Sequence, residues 1–237
     1  VEVIGGILPV QAGRLKKMGD DLTINANFYG ASTNSNLQSY SGDITAPLYG
    51  LLTAPPAASV YKADGSYNFY IPPGNSGVQN ALANLLEPTD NLESKLFNGN
   101  VTADYNIIKN LTYHLNAGSE YSESNEGKYT PSTIPAGQAK HGIASIQNLN
   151  AFRWLVENYF TYKFKVNEQH DFNLLLGTSN QKDISESLYA SSSNFSTDEF
   201  LYHNLTAGSI SNGYSSSKQQ STLTDYFGRV NYGYKDK

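Results

Sequence analysis

The chain has 237 residues, a net charge of −5 and only 16% charged residues, against roughly 25% in an ordinary soluble domain. Asn, Ser, Thr, Gly and 18 Tyr fill the difference, a mixture poor in strong helix formers and too aromatic for a disordered chain. The absence of Cys excludes disulfide frameworks, zinc ribbons and thiol catalysis, and an acidic balance with no basic cluster excludes nucleic acid as a partner.

No apolar run approaches the roughly 18 residues of a spanning helix. The dominant pattern is instead alternation with period two, which separates the faces of a strand and would mix those of a helix. In chain order, Leu22, Ile24, Ala26 and Phe28 alternate with Thr23, Asn25, Asn27 and Tyr29. Phe97, Val101, Ala103, Tyr105 and Ile107 alternate with Asn98, Asn100, Thr102, Asp104 and Asn106. Leu111, Tyr113, Leu115 and Ala117 follow the same rule against Thr112, His114 and Asn116. The longest run is Ala151 to Val166, with Phe152, Trp154, Val156, Asn158, Phe160, Tyr162, Phe164 and Val166 on one face. Its other face holds Arg153, Leu155, Glu157, Tyr159, Thr161, Lys163 and Lys165. Phe172, Leu174 and Leu176 come next, with Leu175 out of pattern, and then Tyr226, Val230, Tyr232 and Tyr234, with Phe227 out of pattern. This predicts about six strands. A first crossing within residues 1–13 stays open.

The connections alternate in length. Ile108-Lys109-Asn110 and Asn167-Glu168-Gln169 are tight turns, Gly19-Asp20-Asp21 ends another, and Lys235-Asp236-Lys237 begins one more. Between them lie long polar segments, 30–96, 122–149 and 182–221, all falling at one end of the sheet. Within the first, Ser59 to Tyr70 has Asp64-Gly65 between β-rich flanks, which predicts a small hairpin. Pro72-Pro73-Gly74 breaks it, and Val78 to Leu86 predicts a short helix. Lys218 to Ser221 is expected at a loop base. Short turns at one end, long loops at the other and aromatic rings near strand ends are the pattern of an outer-membrane β-barrel. A soluble extracellular β-sandwich that binds carbohydrate is the alternative, since its apolar face would be core. A surface adhesin or phage receptor on a barrel scaffold is a third reading.

Catalytic chemistry is missing from the sequence. His114, His141, His170 and His203 lack zinc spacing, and there is no nucleophile elbow or Gly-rich phosphate loop. The acid pairs Glu120 with Glu123 and Asp20 with Asp21 are expected to be solvated groups at a strand end and in a turn. Arg153, Glu157 and Arg229 point away from the apolar face; in a barrel they are the candidate lumen-facing residues, with structural ion pairing expected ahead of substrate contact. The Tyr-, Asn- and Ser-rich loops offer ring faces and amides suited to hydroxyl-rich ligands.

The run Asp225-Tyr226-Phe227-Gly228-Arg229-Val230-Asn231-Tyr232-Gly233-Tyr234-Lys235-Asp236-Lys237 resembles a barrel strand of the SusC/RagA-type TonB-dependent outer-membrane transporters. Glu157 to Tyr162 with His170 to Gly177 is similar to the preceding hairpin of that family, and Asn98 to Val101 with Asp104 to Ile107 and Leu111 to Tyr113 to the hairpin before it. Val60-Tyr61 followed by Asp64-Gly65-Ser66-Tyr67 is similar to one of its loop segments. The resemblance covers the chain from about Leu22 onward and departs at Asn80-Ala81-Leu82-Ala83, where the family often has Asn-Pro-x-Ala. It implies an all-β fold, an antiparallel up-and-down transmembrane β-barrel of which this chain holds about six to seven strands of a larger barrel, with long extracellular loops. Residues 1–237 would then form part of the barrel domain, with the plug domain, the TonB-contacting segment and the remaining strands outside the chain. It further implies a Gram-negative outer membrane, import of a glycan or peptide, a SusD-like surface lipoprotein, energy from TonB–ExbB–ExbD, and contact with membrane lipid and lipopolysaccharide. No catalytic residue, metal or cofactor is implied.

Overall fold

The computed structural model describes residues 3–8, 15–18, 21–37, 47–55, 59–69 and 79–235. The predicted turn residues Gly19, Asp20, Asp236 and Lys237, the break at Pro72-Pro73-Gly74, and the ends Tyr70 and Val78 of the predicted hairpin and helix lie outside them.

The strands are β1 (Val3–Leu8), β2 (Leu15–Met18), β3 (Leu22–Asn36), β4 (Thr89–Ile108), β5 (Leu111–Thr130), β6 (Ile143–Val166), β7 (His170–Phe195) and β8 (Gly208–Tyr234). All belong to one antiparallel sheet in the order β1-β3-β4-β5-β6-β7-β8, and β2 also pairs with β3. β1 pairs with residues 30–35 of β3 and β2 with residues 22–24, so the two form one interrupted strand along the same edge. That places a seventh crossing at the start of the chain, where the alternation was weakest. Every connection is sequential, as in an up-and-down meander.

The short turns lie where the sequence placed them. Ile108 pairs with Leu111 across Lys109-Asn110, and Val166 pairs with His170 across three residues of which Asn167 and Glu168 have positive φ. The long connections lie at the opposite end, but they begin later than expected. β5 runs to Thr130 and β6 starts at Ile143, leaving 131–142; β7 runs to Phe195 and β8 starts at Gly208, leaving 196–207. The first connection narrows from 30–96 to 37–88. Lys218 to Ser221, expected at a loop base, is in the body of β8, with Lys218 Nζ 2.6 Å from Glu186 on β7. The reason is that a backbone ladder needs no apolar side chains. Where both faces meet water the alternation vanishes, yet the hydrogen bonds continue.

Within the first connection, α1 (Pro47–Thr53) and α2 (Ala81–Leu86) flank the hairpin. Tyr61 bridges Tyr67, Lys62 N–H donates to Ser66 O at 2.8 Å, and Gly65 takes φ 84°, as Asp-Gly in a tight turn requires. Asn80 caps α2 by accepting from the Leu82 and Ala83 amides, while its own NH2 donates to Val60 O at 2.7 Å and Asn68 O at 3.2 Å. This buried amide ties helix to hairpin. The remaining short elements are α3 (Pro135–Gln138) and a 3₁₀ turn at Leu205–Ala207.

The register sorts the side chains. Even positions of β3, β6, β7 and β8 share one face with odd positions of β4 and β5. On this face large apolar groups stay open, including Phe160 at 44%, Leu176 at 69% and Val230 at 69% exposure. A sandwich would cover them with a second sheet; among the described residues none does so. The little true core sits at the loop end, where Tyr129, Ala144 and Phe195 pack with Leu201, Tyr202 and Leu205.

Aromatic rings on the apolar face form two series. Near the turns Tyr105, Tyr113 and Phe160 stand in one register row, and Phe164, Phe172 and Tyr232 in another, four residues nearer the turns along β6. Tyr113 meets Phe160 with ring centroids 5.1 Å apart, and Phe172 meets Phe164 and Tyr232, each at 5.1 Å. Farther out, Phe97, Tyr121 and Phe152 share a row, whereas Tyr226 of β8 shares the row of Asn158, six residues nearer the turns. From β4 to β8 both series therefore slip by about 1–1.5 residues per strand. With strands about 4.8 Å apart and a rise of about 3.3 Å per residue, that slip is a tilt of roughly 35–46°. Strands in membrane barrels tilt by ~35–45°.

Candidate functional site

The opposite face is polar because the same alternation places Asn, Thr, His and carboxylates there. Its side chains form a ladder of cross-strand bonds. Asn25 donates to Thr102 at 3.4 Å, Asn98 donates to Glu120 at 3.3 Å, and Asn100 bonds Asn116, which donates in turn to Glu157 at 2.9 Å. His114 has Nδ1 2.6 Å from Asp104 and Nε2 2.9 Å from Thr161, and its ring stacks on Tyr159 at 4.5 Å. These bonds run perpendicular to the strands and lock the register from the polar side, as the stacked rings do from the apolar side.

Both exceptions to the alternation fall on this polar face. Phe227 lies beside Tyr159 at 6.3 Å, and the two flank Gly177, where an added Cβ would come within 2.4 Å of Tyr159 Cβ and 2.8 Å of Phe227 Cζ. The rings fill the space that the glycine leaves. Leu175 shares a row with Thr161 and Arg229.

The three residues singled out from the sequence all lie on this face but do not converge. Arg153 pairs with Asp183, which also accepts from Gln181 at 2.7 Å, and the pair lines a concavity with Glu120. Glu157 is engaged by Asn116. Arg229 lies nearer the turns, in a separate cavity with Lys109 and Lys163. Glu120 and Glu123, expected at a strand end, are inside β5, and their odd spacing puts them on opposite faces, so they cannot act as a pair. Among the described residues no group of three or more His, Cys, Asp or Glu could hold a metal. The sequence reading missed the joining of His114 to Asp104 and Arg153 to Asp183. Each spans two strands, and only the register reveals it.

At the loop end, Asp198 binds two connections together. Tyr129 Oη and the Ser132 amide, at 3.1 Å, donate to its Oδ1, and Ser132 Oγ donates to its Oδ2 at 2.7 Å. Burial opposes ionisation of Asp198, but the bonds from Tyr129 and Ser132 outweigh it and hold the carboxyl below its ordinary value. Burial and the same carboxylate push the Tyr129 phenol up. Thr133 donates to Glu87 at 3.2 Å, joining the second connection to the first, and Asn91 of β4 donates to Tyr202 Oη at 3.4 Å, tying the third connection to that strand.

No family model matches the chain. It is 33% identical over 196 residues to the TonB-dependent receptor P3 of Formosa agariphila and 27% identical over 189 residues to the TonB-dependent receptor P26 of the same organism. These matches cover 83% and 77% of the chain but 19% of each relative, so the chain spans about a fifth of their length. The fold is similar to that of the RagAB peptide importer in its open-open state, with a TM-score of 0.73 at 21% identity over 94% of this chain and 25% of that one. A second RagAB peptide transporter structure gives 0.72 at 21% identity, over 94% of this chain and 26% of that one.

Proposed function

We propose, from the premise that this chain is a stretch of the barrel wall of a TonB-dependent transporter of the outer membrane, that its parent imports a nutrient too large for passive diffusion. The cargo is a glycan or a peptide, and this segment supplies seven crossings and the loops above them. The apolar face meets lipid and the polar face lines the lumen. Import breaks no covalent bond, and on the polar face Arg153 is held by Asp183, Glu157 by Asn116 and His114 by Asp104 in structural contacts. A SusD-like lipoprotein on the outer side and TonB–ExbB–ExbD on the inner side complete the machine. The plug and the other strands come from the parent's remaining chain, which must also pair the free edges of β1 and β8, since hydrocarbon leaves no backbone group unpaired.

The observation that carries this reading is the oblique course of the two aromatic series. On β6 the two series are met by Phe164 and Phe152, twelve residues apart. At a tilt of ~40° that is about 30 Å, enough to frame the apolar band of ~25 Å of a membrane barrel. Beyond the outer series β8 continues from Tyr226 to Gly208, a further wall about 45 Å tall at the same tilt and rise. This accounts for strands of 20–27 residues in β4 to β8 where about ten suffice for a crossing.

Fractionation of cells that express the full-length parent tests the assignment. The parent should appear in the outer membrane and leave it only in detergent, and uptake of its cargo should stop when TonB is removed. A parent that stays in the aqueous phase without detergent refutes the barrel.

A further inference from the structure

The cavity at the turn end of the polar face has a volume of about 450 Å³ and is lined by Lys109, Lys163, Arg229, His114, Tyr159 and Asn173, together with Asn110, Thr112, Thr161 and Leu175. It holds three cations and no carboxylate. The rest of the wall has the reverse balance. Higher on the same face, the six carboxylates of Asp90, Glu120, Glu126, Glu157, Asp183 and Asp225 outnumber the two cations Lys128 and Arg153, and the whole chain is acidic, at −5.

Like charges gathered in one concavity repel. Such a cluster is tolerated when a counter-charge is present. Among the described residues no carboxylate is paired with it. Neither Lys109, Lys163 nor Arg229 forms an ion pair with any described residue. The nearest acids of the face are Asp104, held by His114 at 2.6 Å, and Asp171, which stands opposite Lys165 in the register. The Tyr159 hydroxyl adds a neutral donor to the lining, whereas Thr112 donates to Asn106 at 2.8 Å and Thr161 is bonded to His114 at 2.9 Å. Arg229 adds a planar fork that fits two oxygens of one anion.

We propose that this cavity is an anion-binding site that takes a carboxylate, phosphate or sulfate group between Arg229, Lys163 and Lys109. Its position at the turn end of the lumen rests on the barrel reading above; its charge and lining do not. The anion has two sources, a carboxylate of the parent's own remaining chain, seated permanently, or a soluble anionic group entering from outside.

The test uses the full-length parent in detergent and compares wild type with Lys163→Gln, with the double variant Lys163→Gln/Arg229→Gln, and with Lys235→Gln. Lys235 is at the same end but outside the cavity, over the Tyr234 ring. Melting is followed while sodium sulfate or phosphate is titrated at constant ionic strength. With a soluble source, sulfate raises the Tm of wild type and of Lys235→Gln, and the double variant binds it at least about tenfold more weakly. With a resident carboxylate, sulfate leaves wild type unchanged, while the double variant melts lower and Lys235→Gln does not. Wild type and double variant melting alike, with the same response to sulfate, overturn the site. Should the double variant fail to assemble, Lys163→Gln alone gives the same comparison, because Lys163 is exposed at a strand surface. A parent that never enters the membrane refutes the barrel; an embedded parent indifferent to these substitutions refutes only the anion site.

Discussion

Replacing Phe160 by Arg tests the orientation of the whole sheet. Phe160 is four residues from Phe164 and eight from Phe152 along β6, about 10 Å and about 20 Å away at a tilt of ~40°, so it lies inside the apolar band toward its turn-side rim. An Arg on a lipid-facing wall costs roughly 2–4 kcal/mol at mid-bilayer and less toward the rim, so a loss of about 1–3 kcal/mol is expected here. The ring contact with Tyr113, at 5.1 Å, adds about 0.5–1.5 kcal/mol to the loss. The matched control is Ser179→Arg on β7, on the other face, where Ser179 stands in one row between Glu157 and Asp225. A guanidinium placed there meets two carboxylates and water, and stability should change by no more than about 0.5 kcal/mol. Denaturant unfolding of the full-length parent in liposomes, with heat-modifiable electrophoretic mobility as the measure of assembly, reads both. Equal losses at the two positions would show that the faces are not divided between lipid and lumen.

Three further predictions concern packing and pH. Gly177→Val should lower the assembled fraction of the parent, by roughly 1–3 kcal/mol of overpacking against Tyr159 and Phe227, whereas Gly118→Ala, where an added Cβ meets nothing nearer than 3.5 Å, should assemble normally. Asn80→Ala should free α2 from the hairpin at a cost of about 1–3 kcal/mol, because the Asn68 carbonyl and two helix amides lose the Asn80 side chain and the Val60 carbonyl loses one of its two donors; faster proteolysis within 47–88 would report it. The Asp198 carboxyl is held below its ordinary value of 3.8, so its tie is at full strength above that pH and is lost as pH falls through 3.8 to the depressed value. Hydrogen exchange at 196–207, corrected for intrinsic rates, should therefore rise in acid in the wild type, and Asp198→Asn should show little such dependence; an identical acid response in both would remove Asp198 from the account.

Much of this architecture was legible from side-chain periodicity. A strand shows alternate residues to alternate environments, so Phe152 to Val166 announced its facing without any knowledge of its neighbours. Tight turns at Lys109 and Asn167, and the Asp64-Gly65 hairpin, were legible for a related reason. Their chemistry is local, set by φ and by bonds within a few residues. The resemblance of the last strand to TonB-dependent transporters likewise lay in contiguous residues.

The tertiary structure decided what depends on partners distant in sequence. The outer halves of β5, β7 and β8 are mostly polar, with only scattered apolar residues such as Ile184, Leu188 and Ile210, and their main strand signal is a ladder of backbone bonds to neighbours, to which hydropathy is blind. The interrupted first strand exists because β3 offers it an edge. The pairing of Arg153 with Asp183, the closure of Tyr159 and Phe227 over Gly177, and the meeting of Lys109, Lys163 and Arg229 all follow from register. A slip of one residue would send each of these side chains to the other face, so composition and spacing leave them undetermined until the strands are laid side by side.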